Sequence, residues 1–124
     1  MLRPQDIREL DRRGYRYLLL EWPGETLIIL KEYVLPEGLS PRCADLLVRV
    51  PSLFPVVKPD MFWMAPAATR CDGLVIPATQ VTETIAERQW QRWSRHLQAS
   101  QWRADRDDLG TYLDIIDHCL QAAA

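Results

Sequence analysis

Cys71 stands in the run Thr69-Arg70-Cys71-Asp72-Gly73, where Asp-Gly marks a turn. A thiol there acts as a nucleophile only if it is exposed and has thiolate character; Arg70 favours the anion and Asp72 opposes it. His96 is the candidate proton shuttle, provided its element brings it within hydrogen-bond reach of the sulfur. Thr69 and Thr79 offer hydroxyls near the same turn, but a threonine needs a base and no Ser-His-Asp arrangement is visible. The plainer reading is a loop cysteine beside a turn, with His96 hydrogen-bonded to its surroundings.

Other chemistries find less support. The five glycines never cluster into a phosphate-cradling loop, and the two histidines, His96 and His118, lack H-E-x-x-H spacing, so no nucleotide cofactor and no metal is expected. His118 follows Asp114 by one helical turn and reads as a surface pair. The three cysteines are far apart and form no C-x-x-C pair, which argues for reduced thiols rather than a disulfide framework. A net charge of −2 gives no basic surplus for nucleic acid. The charged start MLRPQDIREL is no signal peptide, and no run approaches the roughly 18 apolar residues of a membrane helix. A soluble, cytoplasmic protein is expected.

The elements that must position Cys71 come from a 124-residue chain, enough for one domain with one core. Residues 1–14 read as an arm or short helix without a core signal. Tyr15–Trp22 and Thr26–Val34 read as strands joined by a Pro23-Gly24 turn, with Leu27, Ile29 and Tyr33 on one face and Ile28, Leu30 and Val34 on the other. Ala44–Val50 is a third strand, with Leu46, Val48 and Val50 inward and Leu47 interrupting a polar outer face. Asp60–Met64 is a fourth. Residues 15–64 thus make an antiparallel meander, 65–81 a loop, and 82–124 helices.

The first of those helices is expected over Ile85–Gln98, from the capping-box form Thr84-Ile85-Ala86-Glu87. It would place Ala86, Trp90, Trp93 and Leu97 in one sector against the sheet and Arg88, Arg92 and Arg95 opposite, as a solvated or recognition face. After a polar link over Trp102–Arg106, Asp107 or Asp108 caps a last helix to about Gln121. Leu109, Tyr112, Leu113, Ile116 and Leu120 line its buried side with Cys119, a core thiol. The fold class is α+β, a four-stranded antiparallel meander packed against C-terminal helices.

This layout resembles the ubiquitin-conjugating (UBC) fold, and Phe54-Pro55-Val56-Val57-Lys58-Pro59-Asp60-Met61-Phe62-Trp63 is similar to that family's Tyr-Pro-x-x-x-Pro-x-Val-x-Phe signature. Pro59-Asp60-Met61-Phe62-Trp63, the run Trp90 to His96, and Trp102 with Asp107-Asp108-Leu109 resemble bacterial UBC-like proteins in particular. The resemblance implies two partners, a ubiquitin-like protein and an activating-enzyme-like protein.

The chain departs from the classical pattern at the site. Thr69-Arg70-Cys71 fills the place of the His-Pro-Asn tripeptide, and Ile76 fills the nucleophile's place. Three readings stay open. Cys71 is a displaced nucleophile that carries a ubiquitin-like C-terminus as a thioester; or Thr69 or Thr79 carries it as an oxyester; or the domain is an inert binding module for either partner. In the last case Asp72, Arg88, Arg92 and Arg95 are the binding candidates.

Overall fold

A computed structural model describes residues 2–124. Helix α1 (Pro4–Arg12) leads into a six-stranded sheet of order β1-β2-β4-β5-β8-β7, every neighbouring pair antiparallel. Its strands are β1 (Arg16–Trp22), β2 (Glu25–Val34), β4 (Cys43–Pro51), β5 (Phe62–Ala65), β7 (Thr82–Ile85) and β8 (Arg88–Trp93). Two short strands, β3 (Leu39–Ser40) and β6 (Thr69–Arg70), form a separate ladder. A 3-10 turn (Ala99–Gln101) and helix α2 (Leu109–Ala123) close the chain.

The first three long strands and the last helix fall where hydrophobic periodicity puts them. Asp108 caps α2, its carboxylate accepting from the Thr111 N–H at 3.0 Å. Leu46, Val48 and Val50 turn inward as expected, into the main core with Ile28, Leu30, Phe62, Met64, Leu113 and Ile116. Cross-strand register makes the inner row explicit, since Leu30, Leu46, Met64 and Gln91 lie side by side across four strands.

The sheet has six strands where a four-stranded meander was expected, and one C-terminal α-helix packs on it where several were expected. No helix runs over Ile85–Gln98: residues 82–93 form the β7-β8 hairpin, whose Ala86 and Glu87 take φ of 52° and 63° in a two-residue turn, and residues 94–98 follow it without regular structure. Thr84 is therefore a strand residue and no N-cap, and Trp90 and Trp93 face opposite sides of the sheet instead of sharing a sector. In β2 the pairing shifts between Leu30 and Tyr33, with Glu32 at φ 53°; this sends Tyr33 into the main core and leaves Val34 exposed. Helix α1 does have a core face, because Leu10 is fully buried. Trp102 is no polar link: it is buried beside Phe54 and Tyr112, and its indole N–H donates to the Pro55 carbonyl at 2.9 Å.

Leu47 interrupts nothing, because the outer face of the sheet is itself a small core. Leu27, Ile29, Leu47, Trp63, Ala65, Ile85 and Trp90 cluster there. Among the described residues no helix packs in this cluster, and long charged side chains lie over it. Arg49 lies 5.4 Å from the Trp63 ring centroid and Arg88 4.8 Å from that of Trp90. Asp45 ties that canopy together, accepting from Lys31 at 2.9 Å, from Arg88 at 2.7 Å and from the Glu32 N–H at 2.9 Å.

Candidate functional site

The β3-β6 ladder aims the Cys71 loop. Leu39 pairs with Arg70 and Ser40 with Thr69, and the Cys71 N–H donates to the Gly38 carbonyl at 2.8 Å. The Gly73 N–H then closes a turn on the Arg70 carbonyl at 3.1 Å, with Gly73 at φ 80° and Cys71 and Asp72 at its two central positions. The thiol is free and exposed at the tip.

Arg70 and Asp72 pair with each other. The Arg70 Nε donates to Asp72 Oδ1 at 3.0 Å and its Nη2 to Oδ2 at 2.5 Å. The guanidinium, helped by the Leu74 N–H on Oδ1, holds the Asp72 carboxyl below its ordinary range. The pair is a brace for the turn.

Gln91 of β8 holds the approach to this turn. Its side-chain amide accepts from the Ala68 N–H at 2.8 Å and donates to the Ala68 carbonyl at 2.9 Å, in the manner of a strand partner. The Trp93 indole N–H donates to the same Gln91 oxygen at 2.9 Å. In a helix Gln91 is one polar residue among several; its place between Trp90 and Trp93 is the signal it carries. The far side of the loop is tied to the end of β8, with the Ser94 N–H on the Ala78 carbonyl at 3.0 Å and Ile76 anchored in the main core.

Between these anchors lies an open cleft of about 430 Å³ lined by Thr69, Arg70, Gly73, Leu74, Val75, Ile76, Thr79 and others. Leu74 and Val75 are 62% and 73% exposed, an apolar lip directly after the Cys71 turn. Thr69 is exposed in this cleft, whereas the Thr79 hydroxyl is buried and donates to the Ile76 carbonyl at 2.9 Å. Of the two hydroxyls, Thr69 is the open one.

His96 goes elsewhere. Its Nδ1 lies 2.8 Å from Asp60 Oδ1, and it lines a separate pocket of about 130 Å³ with Cys119, Tyr112 and Arg95. Burial pushes the Cys119 thiol up while nearby Arg95 pulls it down, as befits a half-buried structural sulfur. The three arginines form no single stripe. Arg88 serves Asp45, Arg92 donates to Glu83 at 3.2 Å, and Arg95 donates to the Pro77 carbonyl at 3.0 Å. Asp114 pairs with Arg13 at 3.0 Å, across to the end of α1, instead of with His118.

Among the described residues no group of three or more His, Cys, Asp or Glu is placed to hold a metal, and no helix is long and apolar enough to cross a membrane. No curated protein and no solved structure matches the chain. A family model described as prokaryotic E2 family E matches residues 2–123. With that match running the length of the sheet, the Cys71 loop and the closing helix, the chain belongs to prokaryotic E2 family E.

Proposed function

We propose that this chain is the E2-like carrier of a bacterial ubiquitin-like modification pathway, built on a UBC-like fold, and that Cys71 is the residue that accepts the ubiquitin-like C-terminus. The observation that supports this reading is the exposed thiol at the tip of a braced turn, with an open cleft and an apolar lip beside it. The Cys71 thiolate attacks the carbonyl of a ubiquitin-like C-terminus held as a thioester on an activating-enzyme-like partner. A new sulfur-to-carbon bond forms, the old one breaks, and the partner's sulfur leaves as thiolate. A neutral amine then attacks the carried carbonyl, an amide forms, Cys71 leaves as thiolate and the amine's proton passes to solvent.

Exchange between two thioesters makes and breaks the same kind of bond, so position is the main demand. The Gly38, Gln91 and Arg70-Asp72 contacts meet it by fixing the backbone on either side of the sulfur. Free thiols in a reducing, cytoplasmic setting are consistent with this chemistry.

The test is a charging assay with purified chain, ubiquitin-like protein, activating-enzyme-like protein and ATP, read on reducing and non-reducing gels. A thiol-labile adduct that disappears in Cys71→Ala is the expected result. An adduct that resists thiol and yields to mild base moves the carrier to the Thr69 hydroxyl. No adduct, with retained binding to either partner, replaces the carrier by a binding module.

A further inference from the structure

We infer that β1 is an interface between two copies of this chain, joined edge to edge into one continuous antiparallel sheet. The two edges of the sheet differ. The β7 edge is four residues long, Thr82-Glu83-Thr84-Ile85, mostly polar on its exposed positions. The β1 edge, Arg16-Tyr17-Leu18-Leu19-Leu20-Glu21-Trp22, is seven residues long, pairs only with β2, and carries no proline, lysine or bulge to discourage a further strand. Leu18, Leu19 and Trp22 are 51%, 40% and 38% exposed on it.

The occupant follows from what the edge would continue. On the outer face Leu18 stands opposite Ile29, which stands opposite Leu47, which stands opposite Trp63. This row is buried from Ile29 onward and ends in the open at Leu18. Leu20, packed against the same cluster, begins the adjacent row through Leu27. A second β1 placed antiparallel with its two-fold axis through Leu19 sets Leu18 against the other copy's Leu20, so that each copy's outer cluster runs into the other's.

The same register sets Arg16 against the other copy's Trp22, a cation over an indole, and Tyr17 against Glu21; neither charge meets its like. Pairing β1 with itself closes the assembly, whereas β1 on β7 would leave an open chain of molecules. The Cys71 clefts, built on the β3-β6 ladder and β8, stay uncovered in both copies.

An edge of this size is at the small end of specific interfaces, so the dimer should dissociate on the order of 100 µM. Sedimentation velocity on the full chain from about 5 to 500 µM is expected to shift from monomer to dimer. Leu19→Lys and Leu19→Glu each place like charges across the two-fold axis and should weaken the dimer at least about tenfold. Mixed in equal amounts, the two variants should associate again, because position 19 faces position 19; circular dichroism verifies that each is folded. Wild-type chain that stays monomeric to 500 µM, a dimer untouched by either substitution, or a mixture that fails to associate overturns the inference.

Discussion

Asp45 and Gln91 show how much two polar residues can hold in place. Burial raises the Asp45 pKa, but hydrogen bonds from Lys31, Arg88 and the Glu32 N–H outweigh it and hold the carboxyl at about 2. With its folded pKa below its unfolded value, Asp45 contributes stability that is present above pH 4 and lost as the pH falls toward 2. Urea midpoints measured between pH 5 and 2 should fall by about 1–2 kcal/mol equivalent in the wild type and by less in Asp45→Asn. Gln91→Ala leaves the buried N–H and carbonyl of Ala68 without partners and should cost about 2 kcal/mol in urea unfolding. It should also slow charging of Cys71 more than it shifts partner binding, since the loop loses its tether to β8. An unchanged charging rate in a destabilised Gln91→Ala chain would detach Gln91 from the site.

The β7-β8 hairpin is the element that decides where the site lies, and it is the one hardest to read from sequence. Two-residue hairpin turns of this kind favour Asn-Gly or Asp-Gly, and Ala86-Glu87 instead places two ordinary side chains at positive φ. The same residues make a plausible helix start with Thr84, so local chemistry pointed away from the tertiary outcome. Glu87→Gly should relieve that strain and raise stability by about 1 kcal/mol, measured by thermal unfolding; a loss would mean the glutamate side chain does more than its backbone suggests. At the other end of the chain, Asp108→Ala removes a cap that was legible in sequence and should cost about 1 kcal/mol. Helix α2 is legible because its apolar spacing keeps one helical period, and the first two strands because the Pro23-Gly24 turn separates two apolar runs. Tyr33 falls on the face opposite to the expected one because a one-residue shift at Glu32 leaves no mark in the pattern.

At the scale of the molecule, the sheet has one face under α2 and the other under its own charged side chains, and the Cys71 turn projects from a small ladder beside it. The turn itself was visible in sequence as Cys71-Asp72-Gly73; its partners were not, because Gly38 and Gln91, which hold the turn and its approach at Ala68, lie far from it along the chain. Tandem mass spectrometry of the charged protein shows which residue carries the ubiquitin-like C-terminus. The chain would be loaded from a ubiquitin-like protein bearing a C-terminal thioester, trapped at low pH, and digested with pepsin at that pH, which suppresses thiol exchange and S-to-N transfer of the acyl group. A C-terminal remnant on Cys71 is the predicted result. A remnant on Thr69, Cys43 or Cys119, or none on any residue, would contradict it.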